Sequence, residues 1–286
     1  MSGKKEWFID LDECTGCDLC VVACKDEFAG SPHMPWTQPQ EHKGQFWMNL
    51  KTYERGQVPK VKVTYLPLLC QHCDNAPCMK ACPEDAILRR PDGIVWIDQE
   101  KCTGCGLCQE ACPYDVIYMN RDLKVAQKCT GCAHLVDLGE IPRCADVCPR
   151  DAILFADEDD PRMLKLKAKA GFLHPEFGLK PRVYYKGLPK PFISGTVVNG
   201  SGTDVIRDAK ITATDLFNNE EYSSKTDEFG DYWIRDLEAD HSYLIVIEKP
   251  GYWKATLVSR TDIDRNLGDT RLFALHEPGK VPQSEA

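Results

Sequence analysis

Apolar and polar residues alternate along Phe46-Trp-Met-Asn-Leu-Lys-Thr-Tyr53 and again along Lys60-Val-Lys-Val-Thr-Tyr65. That is the two-residue period of half-buried strands, so the pattern predicts a hairpin turning at Arg55-Gly56-Gln57. Shorter apolar pieces recur downstream. Cys82-Pro is followed by EDAILRRPDGIVWIDQEKC, Cys112-Pro by YDVIYMNRDLKVAQKC and Cys148-Pro by RDAILFADEDD. The first two read as hairpins turning at Pro91-Asp92-Gly93 and at Arg121-Asp122. Ile87, Ile117 and Ile153 hold the same place after their prolines, which marks an internal repeat. CVVAC, CMKAC, CQEAC and CADVC are predicted as short helices carrying the last cysteine of each group. PRMLKLKAKAG, after the acidic patch Asp157–Asp160, is predicted as another. His174–Pro189 mixes proline, glycine and aromatic residues, and reads as an extended arm lying across a partner or across the rest of the chain, or as a plain linker. From Lys190 the pattern changes to strands: FISGTVV, DAKITATDLF, EEYSSKT, DYWIRDL, YLIVIEK, KATLVS and RLFAL. Turns at Asn199-Gly200, Asn218-Asn219, Glu228-Phe229-Gly230 and Pro250-Gly251 separate them, which predicts an all-β sandwich.

The chain has 286 residues, room for two domains, and a formal charge of −9. That balance gives a nucleic-acid partner no electrostatic basis. The start, MSGKKEWFIDLDEC, has neither an apolar targeting core nor a twin arginine, and no run of 18 apolar residues occurs. The expectation is a soluble, cytoplasmic subunit, or an exported one whose partner carries the signal.

Sixteen cysteines change the picture most. A disulfide framework would need an oxidising compartment. Structural zinc prefers two separated CxxC pairs, which three packed cysteine steps would overfill. The run Cys102, Cys105, Cys108, Cys112-Pro113 has instead the bacterial ferredoxin spacing for [4Fe–4S] clusters. Its tight turns present three thiolates and aim backbone N–H groups at the cluster, and its fourth cysteine serves a different cluster. Cys14, Cys17, Cys20 and Cys24 repeat this spacing, with Lys25 in place of the closing proline. Cys70, Cys73, Cys78 and Cys82 widen the middle gap, and Cys129, Cys132, Cys144 and Cys148 place eleven residues inside it. Four runs of four leave no cysteine over. His33 and His42, in the proline-rich loop after the first run, read as solvated loop histidines. His72 and His134 lie in or beside the second and fourth runs; with no thiolate missing, they read as donors that could tune a cluster's potential.

The four runs resemble the electron-transfer subunits that pair with molybdopterin enzymes of the dimethyl sulfoxide reductase superfamily. The eleven-residue gap and the PRVYYKGLP arm share in that resemblance. It implies crossed ligation: Cys14, Cys17, Cys20 with Cys148; Cys129, Cys132, Cys144 with Cys24; Cys70, Cys73, Cys78 with Cys112; and Cys102, Cys105, Cys108 with Cys82. The GTVV, AKITA, TDEFGDYWIRDL and YLIVIEKPGY segments resemble the carboxypeptidase-regulatory-like or Cna-B-like sandwich. VAQKCTGCAHL, IPRCA and KPRVYYKGL, with the sandwich attached, are most similar to the small subunits of the pyrogallol–phloroglucinol transhydroxylase branch and related phenol hydroxylases and dehydroxylases. In that branch the run matching Cys102–Cys112 is degraded and a cluster is lost, whereas here Cys82, Cys102, Cys105 and Cys108 are all present. The resemblance therefore implies a net redox reaction.

The expected fold is an α+β duplicated bacterial-ferredoxin-like domain with hairpin insertions (1–172), an arm (173–189), the sandwich (190–277) and a tail (278–286). The expected function is electron transfer through four [4Fe–4S] clusters, with no catalytic side chain on this chain. It would work between a large catalytic subunit, which carries a molybdenum or tungsten bis-pterin cofactor and acts on a phenolic aromatic, and an external donor or acceptor. A free polyferredoxin, or the corresponding subunit of a dimethyl sulfoxide, polysulfide, thiosulfate or arsenate reductase, is the alternative.

Overall fold

A computed structural model describes residues 3–275, so the expected tail and the last two residues assigned to the sandwich lie outside the described residues. The chain forms two compact units. The first runs to Tyr53 and resumes over Thr64–Leu188; the second takes Glu54–Val63 and the chain from Pro189.

The first unit, apart from the 54–63 end of its first hairpin, which belongs to the second unit, is built from short elements. In order they are β1 (Lys5–Asp10), α1 (Leu19–Phe28), the hairpin of β2 (Asn49–Gln57) and β3 (Lys60–Leu68), α2 (Pro77–Lys80), β4 (Ile87–Arg89), β5 (Val95–Ile97), α3 (Leu107–Glu110), β6 (Tyr118–Asn120), β7 (Val125–Gln127), α4 (Ala133–Val136), α5 (Arg143–Asp146), β8 (Ile153–Asp157), α6 (Pro161–Lys167) and β9 (Val183–Lys186). β4 pairs antiparallel with β5, and β6 with β7, as the repeats predicted. The hairpin of β2 and β3 turns at Val58-Pro59, later than expected, because proline suits a turn and cannot donate to a ladder.

The helices correct one expectation. Only α1 contains the last cysteine of its run; α2, α3 and α5 stop short of Cys82, Cys112 and Cys148. Pro83, Pro113 and Pro149 follow those cysteines, and a residue before proline is pushed out of the helical region. Lys25 stands where the first run would have its proline, so α1 continues for 10 residues.

β1 is the centre of a three-stranded sheet, antiparallel to β8 and parallel to β9. The arm expected to lie across a partner or across the rest of the chain thus lies, in part, across the rest of the chain, contributing a strand. Val183 and Tyr185 turn inward from β9, and Arg182, almost wholly buried, grips Asp74 with two nitrogens at 2.9 and 3.1 Å. The core beneath mixes Trp7, Ile9, Phe28, Trp47, Leu69, Ile94 and Phe155 with the buried cysteines. The loop after α1 is held by amides: Gln127, without solvent exposure, donates to the carbonyls of Gln38 and Pro39 and accepts from Gln45 and Asn120.

The second unit contains β10 (Ile193–Asn199), β11 (Lys210–Asp215), β12 (Glu221–Lys225), β13 (Asp231–Ile234), β14 (Ser242–Glu248), β15 (Ala255–Arg260) and β16 (Arg265–Leu272). They form two sheets, ordered β13-β10-β16 and β12-β11-β14-β15, around one hydrophobic core. β14 shows the cause: Tyr243, Ile245 and Ile247 alternate inward and are fully buried. Each such side chain contributes about 1.5–3 kcal/mol by leaving water. The last strand begins at Arg265, ahead of the apolar RLFAL that marked it, because it pairs in parallel with β10 through mostly polar positions. The residues 54–63 join this unit through ion pairs of Arg55 with Asp264 and of Lys60 with Asp231.

Candidate iron–sulfur sites

One local device repeats after three of the runs. The chain passes through Cys-Pro-x-Asp, and Asp85, Asp115 and Asp151 all take the left-handed conformation, at φ 47, 52 and 49°. Aspartate tolerates that region better than most residues. The turn swings the following peptide back, so that Ala86 N–H donates to Cys82 Sγ at 3.3 Å and Ala152 N–H to Cys148 Sγ at 3.3 Å. Between the first two cysteines of each run another left-handed residue is needed. Gly16, Gly104 and Gly131 supply it in three runs, and His72 in the fourth, at φ 44°. These turns bend the chain tightly enough to converge three thiols.

The structure brings together the thiols that the resemblance grouped. Cys14, Cys17, Cys20 and Cys148 line one hollow of about 380 Å³. Cys70, Cys73, Cys78 and Cys112 line a second of about 340 Å³, and Cys82, Cys102, Cys105 and Cys108 a third of about 320 Å³. Cys24, Cys129, Cys132 and Cys144 form the remaining set: the charges of Cys129 and Cys132 raise the Cys24 and Cys144 thiols, and that of Cys24 raises Cys144 as well. In every set three thiols come from one run and the fourth from another.

Burial, reinforced by neighbouring thiols, pushes Cys20, Cys73 and Cys78 up to about 12. It likewise raises Cys132 to about 12 and Cys108 and Cys129 to about 11. Four crowded, desolvated thiolates need positive charge bound among them, and iron supplies it. The donor set, the N–H bonds to sulfur and the apolar hollows all fit a cubane.

The sets neighbour one another in order. Cys20 and Cys24, four residues apart on α1, connect the first set to that of Cys129. Cys129 is next influenced by Cys70, and Cys78 in turn by Cys108. Cys17 and Cys105, in the two end sets, are exposed, whereas the middle sets hold six buried cysteines and two of intermediate exposure.

The histidines divide. His42 is exposed, as expected. His33 is not a solvated loop residue: its ring stacks on His134 at 3.8 Å and meets the edge of Phe28. Glu27 accepts from His134 Nε2 and Arg143 Nε, both at 2.8 Å, while His33 Nε2 donates to the Glu27 carbonyl at 2.9 Å. In this arrangement both Nε2 atoms serve as donors to Glu27. His72 is fully buried against Trp7, and its Nδ1 accepts from Val95 N–H at 3.0 Å. Its Nε2 must then carry the proton, and His72 lines the hollow of Cys70. Sequence reasoning missed Lys128, whose ammonium is buried beside Cys129; its only local signal is its place next to that cysteine.

Among the described residues no helix is long and apolar enough to cross a membrane. Residues 61–158 match the 4Fe-4S dicluster domain, residues 11–29 a 4Fe-4S binding domain, and residues 193–272 the carboxypeptidase regulatory-like domain. The chain is 35% identical over 274 residues to the pyrogallol hydroxytransferase small subunit of Pelobacter acidigallici, a match that covers 92% of this chain and 97% of that relative. It is 37% identical to a tetrathionate reductase subunit of Salmonella typhimurium, over 65% of this chain and 73% of the relative. A sulfite dehydrogenase subunit of Allochromatium vinosum is 35% identical, over 64% and 81%. With the first match covering nearly the whole of both chains, this chain belongs to the family of [4Fe–4S] iron–sulfur subunits of molybdopterin oxidoreductases.

Proposed function

We propose that this chain relays electrons through four [4Fe–4S] clusters, one for each thiol set, between a large molybdopterin-binding catalytic subunit and an external redox partner. The observation that carries the reading is the order of the sets, with an exposed cysteine at each end and buried sets between. When bound, each cluster supplies a one-electron centre whose potential responds to charge, hydrogen bonds to sulfur and burial. The chain's own residues do the rest. Sixteen thiolates ligate, with Cys148, Cys24, Cys112 and Cys82 closing the sets begun by other runs. The N–H bonds to Cys82, Cys102, Cys129 and Cys148 favour the anionic sulfur. Burial keeps water from the middle sets. The exposed Leu19 and Val22 on α1, next to the first set, give it an apolar rim suited to the catalytic subunit.

The substrate class follows from the relative whose match includes the sandwich. A pyrogallol hydroxytransferase subunit similar over 92% of the chain supports a phenolic aromatic as the partner's substrate, undergoing hydroxylation, dehydroxylation or transhydroxylation. The complete set of Cys82, Cys102, Cys105 and Cys108 favours a net redox reaction with an external donor or acceptor.

The test begins with protein prepared without oxygen, which should hold about four irons per cluster and four reducible centres. Cys105→Ala should then abolish turnover with the physiological electron partner, while a small dye that reaches the catalytic subunit directly still drives the reaction. We assign the set of Cys82, Cys102, Cys105 and Cys108 as the one that exchanges electrons with the external partner; unchanged turnover with the physiological partner, after that cluster is lost, would overturn this assignment and favour a transhydroxylase-like role.

A further inference from the structure

Lys128 is 2% exposed, yet it carries a group that is charged in water at neutral pH. A buried ammonium costs several kcal/mol unless something anionic compensates it. Among the described residues no carboxylate lies within ion-pair distance of Lys128. Its Nζ donates instead to two backbone carbonyls, that of Cys129 at 3.0 Å and that of Val95. Both carbonyls lead to thiol sets. Cys129 belongs to the set of Cys24, Cys132 and Cys144, while Val95 lines the hollow of Cys70, Cys73, Cys78 and Cys112. Val95 also donates its N–H to His72 Nδ1, so one residue joins Lys128 to the histidine of the second hollow.

We propose that Lys128 is the shared counter-cation of the two middle thiol sets, and that it raises the reduction potentials of the clusters they hold relative to those at the ends. The proposal rests on the four-cluster reading above. Its logic is charge balance. Two anionic sets flank the ammonium, and adding an electron to either makes that set more negative, so a fixed positive charge nearby favours reduction. The carbonyl bonds fix where the charge sits and add no negative charge of their own. The two buried sets would then hold an electron more readily than the exposed sets on either side.

The experiment is a potentiometric titration of the loaded protein, followed by electron paramagnetic resonance, for the native chain, Lys128→Met, Lys128→Gln and Lys128→Arg, with iron measured in each. In the neutral variants the midpoints of two centres should fall by about 59 mV or more, tenfold in a one-electron equilibrium constant, and the other two should not move. Lys128→Arg should keep both potentials close to native. If a neutral variant keeps its iron and all four midpoints, or if Lys128→Arg shifts the same two centres as far, the counter-cation role is wrong. If neither neutral variant keeps iron, Lys128→Arg decides: retention of iron supports a need for charge, and loss of the same clusters overturns it. Fewer than four reducible centres in the native protein would instead overturn the four-cluster reading, so the two failures are distinguishable.

Discussion

The two units of this chain are held together by different means. The sandwich strands run 4–8 residues, alternate inward and outward, and close over a core of Ile, Val, Leu, Tyr and Ala side chains. In the cysteine-bearing unit, four helices have 4 residues and four strands have 3. Helices that short are unstable by themselves. Their core includes the buried thiols, which burial alone would leave protonated and poorly packed. One unit thus draws its stability from hydrocarbon, and the other must draw much of it from ligation, where binding free energy is also folding free energy.

Removing iron should break that parallel most sharply. Hydrogen exchange on the chelated, reduced protein should show lost protection across the short elements from α2 to α5 and retained protection in β10, β11 and β14. Equal collapse of both units would show that the sandwich also depends on the clusters. The converse perturbation is Ile245→Ala. It opens a hole in a closed hydrocarbon core and should cost the sandwich about 2–5 kcal/mol in denaturant melts, with iron content unchanged. A smaller effect comes from pH. Burial alone would raise the Asp215 carboxyl, but its bonds to His241 Nδ1 at 2.6 Å and from Phe217 N–H at 2.8 Å hold it below its ordinary value of 3.8. A carboxyl with a depressed folded pKa contributes stability above its unfolded value and loses it as pH falls through the folded one. The sandwich should therefore weaken progressively below pH 3.8, and Asp215→Asn should flatten that slope. An unchanged slope would place the acid sensitivity elsewhere.

Much of this is legible in the chain. Cysteine spacing is dictated by what a tight turn can converge, so the runs announce themselves. The alternation in YLIVIEK marks a half-buried strand without help from any distant residue. The arm is harder. Val183 and Tyr185 alternate inward, but four residues beside three prolines look irregular until β1 offers an edge to pair with. The ends of the short helices are signalled by Pro83, Pro113 and Pro149, and following the cysteine pattern instead of the backbone restriction before proline misplaces them. His33 and Lys128 cannot be read locally. One is stacked on the ring of His134, 101 residues further along, and the other is bonded to the carbonyl of Val95, contacts that only the folded chain creates.

The presence of Lys25 in place of proline has a further consequence. Because α1 does not stop at Cys24, thiols of two different sets ride on a single rigid rod, separated by about 6 Å of axial rise. Their separation along the axis is metered by the helix's own backbone hydrogen bonds, whatever the length of the loop that follows it. Lys25→Pro would leave every thiol in the chain and still disturb the interval between two of its sets.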